Sequence, residues 1–216
     1  MNTKIEIITG RMGMGKSGLA FHHARLARVG VAIFDPNAQF SNGTVSNNPE
    51  DFEESLNAAG NVVIYRSAGK VDQDFADFYE CIFRRRELAI VVDEASLLGS
   101  PQRIDENLDK LIRLGRTKGL DIFLTAHRPQ DMNGIAFSLA VSYCFFHTTH
   151  PRDLERIENF TSPECAARVK ELAQHHFVCW SVEEEDFYVN TNPEDWREHI
   201  DPVRRVQTQE EVSSNG

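Results

Sequence analysis

The sequence predicts an α/β fold, a three-layer sandwich around a mostly parallel sheet, on three observations. Short apolar runs alternate with helical segments along most of the chain. The run Leu88-Ala89-Ile90-Val91-Val92 is apolar without interruption, as a strand covered on both faces requires. A glycine-rich segment separates the first apolar run from the first helix, where anions are held in such folds. The 216 residues are 41% hydrophobic, enough for one substantial core, so one domain is expected over 1–203. The polar stretch 204–216 is expected to stay disordered.

The elements follow in order. Ile5-Glu6-Ile7-Ile8 is the first strand, and residues 17–28 form the first helix, stopped by Gly30. Val31-Ala32-Ile33-Phe34 is the second strand, ending at Asp35-Pro36. Residues 37–60 are rich in Asn, Ser and Gly and predict mostly loop around a short helix over 51–59. Val62-Val63-Ile64-Tyr65 is a further strand. Over 72–85 the residues Phe75, Phe78, Tyr79, Ile82 and Phe83 keep the spacing of one helix face. The strand over 88–93 comes next, then a helix over 105–114 with Leu108, Leu111 and Ile112 on one side. Gly119 precedes a strand from Leu120 that runs into Thr125-Ala126-His127-Arg128-Pro129. Residues 141–146 form the last strong core strand. A helix starts near Thr161-Ser162-Pro163-Glu164, where a capping-box pattern meets an early proline. Residues 177–182 and 187–190 predict an edge hairpin whose acidic turn discourages further pairing.

Residues 10–17 read Gly10-Arg11-Met12-Gly13-Met14-Gly15-Lys16-Ser17, a complete G-x-x-x-x-G-K-[ST] phosphate-binding pattern. Glycines let consecutive N–H groups close on anionic oxygens, and the following helix adds its positive end at Gly18. Lys16 is expected to reach the β/γ-phosphates and the Ser17 hydroxyl to hold Mg²⁺. Strand before and helix after argue against a chance glycine turn. ATP with Mg²⁺ is the expected ligand pair.

The apolar strand over 88–92 ends in Asp93-Glu94, at the edge where ligands of open α/β sheets gather. Asp93 is expected to hold Mg²⁺ from behind the ion's own ligands, and Glu94 to polarise a water for in-line attack. Glu94 could instead cap the helix that follows. Some kinases also carry Asp-Glu here, so the pair leaves phosphoryl transfer to a small molecule open.

No apolar stretch is long enough to span a bilayer and no charged-then-apolar leader opens the chain, so a soluble intracellular protein is expected. Cys81, Cys144, Cys165 and Cys179 form no C-x-x-C pair and are expected to be reduced, buried thiols. A net charge of −10 argues against nucleic acid covering the whole surface but permits a local basic lining, as in the channel of a ring.

In these motifs the chain resembles P-loop ATPases of the FtsK–HerA superfamily, and in size the genome-packaging ATPases of tailless icosahedral, membrane-containing viruses. The resemblance spans 3–180 in element order and rests on the segments 10–17, 34–36, 90–95 and 115–129. It implies a three-layer P-loop NTPase sandwich with a C-terminal edge hairpin. It also implies an ATPase that moves double-stranded DNA into a preformed capsid as a homo-oligomeric ring, expected as a hexamer, with viral capsid vertex proteins as partners. Host cytoplasm or the packaging vertex of the virion is the implied location. Where the superfamily commonly has Thr-Gln-Arg-Pro this chain has His127 in place of Gln. The resemblance places that residue on a strand between the phosphate-loop strand and the Asp-Glu strand, as a γ-phosphate sensor. Thr125 could share the role, and His127 could also be an ordinary turn residue. By position Arg116 matches the arginine that completes a neighbour's site, with Arg113 as second choice; a solvated basic helix end is the plainer reading.

Other features carry less. Arg84-Arg85-Arg86 reads as a solvated helix end, Cys144, His147 and His150 as a core strand running into a polar loop, and His22-His23 and His175-His176 have no partner pattern. The segments 10–17 and 93–95 also resemble zinc-ribbon thymidine kinases, whose C-x-x-C pairs are missing here, so a deoxynucleoside kinase is the alternative. A filamentous-phage assembly ATPase, normally carrying a transmembrane helix, is a further one. A nucleotide-dependent switch with little turnover is the last, and Glu94 argues against it.

Overall fold

In the computed structural model, which describes residues 3–58 and 61–192, the first strand β1 (Ile5–Thr9) is fully buried within a nine-stranded sheet. The other strands are β2 (Val31–Asp35), β3 (Thr44–Ser46), β4 (Val62–Arg66), β5 (Ala89–Val92), β6 (Asp121–Ala126), β7 (Ser142–Phe146), β8 (Phe177–Ser181) and β9 (Asp186–Asn190). Their order is β3-β4-β2-β5-β6-β1-β7-β8-β9. From β3 to β7 all neighbours are parallel; β8 and β9 are added antiparallel at one edge. That is the expected mostly parallel sheet with its edge hairpin. β6 lies between β1 and β5, so the residues following these three strands emerge side by side at their carboxyl ends.

The layers are unequal. One face of the sheet is covered by α1 (Lys16–Ala27), whose Leu19, Ala20, Phe21 and Ala24 pack on Ile8, Ile33, Val91 and Phe123. The other face carries the larger core. There α2 (Pro49–Leu56), α3 (Val71–Phe83), α4 (Glu106–Leu114), α5 (Gly134–Leu139), α6 (Pro151–Phe160) and α7 (Pro163–Lys170) bury residues against Ile7, Phe34, Ile90 and Leu124. Alternate residues of β1, β2, β5 and β6 feed the two cores, as the two-residue repeat of a strand dictates.

Local signals set most boundaries. Asp105 accepts from the N–H groups of Asn107 and Leu108 and caps α4. Ser162 accepts from Cys165 N–H and caps α7, with Pro163 in the first turn. The expected capping box is only half present, because the third helical residue is Cys165 rather than Glu164.

Several elements depart from the sequence expectation. The loop over 37–60 contains β3 as well as α2, a three-residue strand too short to show alternation. Between 126 and 161 lie α5, six residues long, and α6, whose buried residues are only Asp153 and Ile157. α5 is too short to repeat a pattern, and α6 shows only Leu154, Ile157 and Phe160 at three-residue spacing among charged residues. The four cysteines are not all free. Cys144 and Cys179 face each other across β7 and β8 with Cα atoms 4.2 Å apart and are joined as a disulfide. Cys81 and Cys165 are free and buried. The pair is invisible in the sequence because register, not spacing, makes the two cysteines opposite. The expected tail over 204–216 and the end of the domain at 203 lie outside the described residues.

Candidate active site

The segment after β1 folds back on the sheet at once. Gly10 N–H donates to Ala126 O, and a Cβ at Gly10 would stand 2.6 Å from the Cβ of Phe146, so only glycine fits beneath β7. Arg11, Met12 and Gly13 are exposed, and Gly15 turns into α1 with φ of 105°, a left-handed conformation that favours glycine. No side chain caps α1, so its first N–H groups are directed at the space over the loop. Lys16 and Ser17 stand in that first turn beside Gly18. His175, which has no partner pattern in the sequence, places Nδ1 3.0 Å from Met14 O and braces the loop from the segment before β8.

Asp93 and Glu94 follow β5 and are both buried. Asp93 Oδ1 accepts from Ser17 Oγ at 2.9 Å and from Thr125 Oγ1 at 2.8 Å. Its Oδ2 is buried with no hydrogen-bond partner among the described residues. Burial pushes the Asp93 carboxyl up to about 6, with the nearby Glu94 and Asp35 carboxylates adding to the rise against the two hydroxyl donors. An orphaned carboxylate oxygen next to a serine hydroxyl is a donor set suited to a hard divalent cation.

Glu94 takes a left-handed φ of 49°, which costs a non-glycine residue about 1–3 kcal/mol. Its N–H donates to Thr125 Oγ1 at 2.9 Å, so one threonine hydroxyl on β6 fixes both acids. The side chain makes no cap to the 3₁₀ turn over Ala95–Leu98, which disposes of the helix-capping alternative. It turns instead to the loop: Glu94 Oε1 lies 3.5 Å from Lys16 Nζ and 3.3 Å from His127 Nε2.

His127 follows β6, and its Nδ1 is 3.3 Å from Lys16 Nζ. The next residue explains its placement. Arg128 Nε donates to Asp153 Oδ2 on α6, where Thr148 Oγ1 donates too, so the chain leaving β6 is pinned outward and the imidazole faces Glu94. Asp35, the last residue of β2, makes no hydrogen bond or ion pair to this cluster among the described residues. It accepts from Gln39 and Phe40 N–H and from Arg66, and so ties down its own loop.

The structure thus brings together Lys16 and Ser17 from the start of α1, Asp93 and Glu94 from behind β5, and Thr125 and His127 from the end of β6. It does not bring Arg116 or Arg113 to them. Both precede β6, whose six residues put them about 20 Å from the His127 end. Arg113 is paired with Asp109 one turn back; Arg116 is exposed and makes no ion pair among the described residues. Arg84 and Arg85 both reach Glu53 at 3.6 Å, a surface network. Cys144, His147 and His150 form no cluster among the described residues.

No family model matches the chain, and no curated protein matches it. Solved structures do. The genome packaging NTPase B204 from Sulfolobus turreted icosahedral virus 2, in complex with ATP-gammaS, is 24% identical with a TM-score of 0.74, over 88% of this chain and 98% of that one. B204, the DNA-packaging ATPase from Sulfolobus turreted icosahedral virus, is 23% identical with a TM-score of 0.71, over 88% and 98%. VirB4 of Thermoanaerobacter pseudethanolicus is 12% identical with a TM-score of 0.61, over 87% and 89%. The chain has the P-loop NTPase fold these proteins share. No described helix is long and apolar enough to cross a membrane.

Proposed function

We propose that this chain, folded as the genome-packaging NTPases are, hydrolyses ATP and couples hydrolysis to movement of double-stranded DNA into a preformed viral capsid. The observation that carries the reading is the meeting of Lys16, Glu94 and His127 above a first helical turn whose Ser17 already touches Asp93.

The N–H groups of the loop over 13–17 and the positive end of α1 bind the triphosphate. Lys16 leaves Glu94 to pair the β/γ-oxygens. Ser17 and the free Oδ2 of Asp93 would hold Mg²⁺, which neutralises charge developing on the phosphates. Glu94, released by Lys16, accepts a proton from the attacking water. An oxygen–phosphorus bond forms as the bond between the terminal phosphorus and the ADP oxygen breaks, leaving ADP and phosphate. Thr125 holds Asp93 and Glu94 in register for this step, and His127 stands where it can donate to the terminal phosphate.

Arg116, remote from its own site, would serve a neighbouring subunit in a ring, a hexamer by this reading. Capsid vertex proteins would be the docking partners, and host cytoplasm or the packaging vertex the place of action. The assignment is supported by the similar structures being a genome packaging NTPase and a DNA-packaging ATPase.

Phosphate release from ATP is measured with double-stranded DNA or deoxynucleosides added. Stimulation by DNA supports the motor. Label from the γ-phosphate appearing on a deoxynucleoside makes the protein a kinase and overturns it.

A further inference from the structure

A second group of chemistry-bearing side chains lies on the α1 face of the sheet, about two helical turns from the phosphate loop. Glu6 on β1, His23 on α1 and Cys144 on β7 place their donor atoms within 4.8 Å of one another. Glu6 Oε1 lies 2.5 Å from His23 Nδ1. Cys179 on β8 is directly opposite Cys144 and bonded to it. Glu6, Cys144 and Cys179 are buried. ATP hydrolysis as proposed above uses none of the four.

We propose that, once the Cys144–Cys179 bond is reduced, these two sulfurs with His23 and Glu6 form a zinc site.

The donor set is the first reason. Two thiolates, an imidazole and a carboxylate suit tetrahedral Zn²⁺, whereas two sulfurs disfavour Mg²⁺ and Ca²⁺. Placement is the second. Tetrahedral bonds of about 2.0–2.3 Å set donors roughly 3.5 Å apart, close to the spacing already held by Glu6, His23 and Cys144, with Cys179 directly opposite Cys144 as the fourth donor. Glu6 also has the outer partners that a ligating carboxylate requires. Ser142 Oγ and Lys4 Nζ donate to Oε2 at 2.9 and 3.3 Å, which leaves Oε1 turned to His23. Access is the third. A cleft of about 450 Å³, lined by Lys4, Glu6, His23 and Cys179 among others, opens onto the group.

The disulfide and the zinc site are alternative states of one pair. A dithiol reductant opens the S–S bond by exchange, places two electrons and two protons on Cys144 and Cys179, and ends as its own disulfide. Zinc then displaces the two thiol protons. In either state β8 is tied to β7; with zinc the contact between His23 on α1 and Glu6 on β1 becomes part of the same link.

The full chain, reduced with a phosphine, is titrated with Zn²⁺ against a chromophoric chelator and, separately, with Co²⁺. Expected are one tightly held metal, a thiolate-to-cobalt charge-transfer band with tetrahedral d–d bands, and zinc protection of Cys144 and Cys179 from alkylation. His23→Gln and Glu6→Gln should each weaken zinc binding by more than about 100-fold while air oxidation still joins the two cysteines. If a variant fails to fold, X-ray absorption of the zinc-loaded wild type decides, since two sulfur and two nitrogen or oxygen neighbours are required. Absence of tight zinc in the reduced wild type overturns the proposal. So does unchanged affinity in His23→Gln, or a metal shell without sulfur.

Discussion

The ammonium of Lys16 lies 3.5 Å from Oε1 of Glu94, and each group is at least nine-tenths buried. The residue proposed to grip the nucleotide and the residue proposed to activate water therefore neutralise each other. His127 closes the triangle with 3.3 Å contacts to both. In the proposed reaction, phosphate oxygens replace Glu94 as the partner of Lys16, so binding itself frees the base.

Lys16→Ala should lose both nucleotide affinity and turnover. Removing one partner of a close buried charge pair typically costs about 2–5 kcal/mol, and here the phosphates lose their cation too. Calorimetric titration with a non-hydrolysable analogue measures it; wild-type affinity would rule out the lysine as anchor.

Glu94→Gln should behave differently. It removes the base and relieves Lys16 of its internal partner, so affinity for the analogue should hold or rise. Turnover should fall by on the order of 10²–10⁴. Wild-type turnover in this variant would refute the base assignment.

For His127→Gln we expect hydrolysis to survive, because an amide can donate one hydrogen bond from the same place. His127→Ala should lower turnover while affinity for the analogue holds. Wild-type turnover in His127→Ala would remove His127 from the reaction.

Arg116→Ala should be inactive alone, as should Glu94→Gln. If the arginine completes a neighbour's site, mixed rings of the two contain intact interfaces and regain activity. No recovery at any mixing ratio counts against action between subunits.

Stability at the far end of the sheet should depend on Asp121. Its Oδ2 accepts from Arg28 Nε at 2.6 Å and its Oδ1 from Lys4 N–H at 2.8 Å, with both charged side chains almost fully enclosed. Asp121→Ala removes the carboxylate shared by Arg28 Nε and Lys4 N–H, and breaking a buried charge pair costs about 3–5 kcal/mol. Denaturant unfolding measures this, and a change below about 1 kcal/mol would show that water replaces the aspartate.

Much of this is legible in the sequence where the signal is local. The phosphate loop is eight contiguous residues, and Asp93-Glu94 closes one apolar run. The helix over Val71–Phe83 shows its face in its own spacing. What escapes is short, polar or paired at a distance. β3 is three residues long, and α6, rich in charge, buries beside Ile157 an aspartate that serves Arg128. His175 and His23 look idle in the sequence because their partners, Met14 and Glu6, lie on other elements.

The sequence alone determined the fold class and the phosphate-binding loop, because hydrophobic period and backbone permissiveness act between near neighbours. Tertiary structure alone decided that Lys16 meets His127 across 111 positions, and that Cys144 faces Cys179 across 35. Those meetings depend on which strands lie adjacent and in what register. Burial of both sheet faces sets that arrangement for the whole chain at once, and no single segment encodes it.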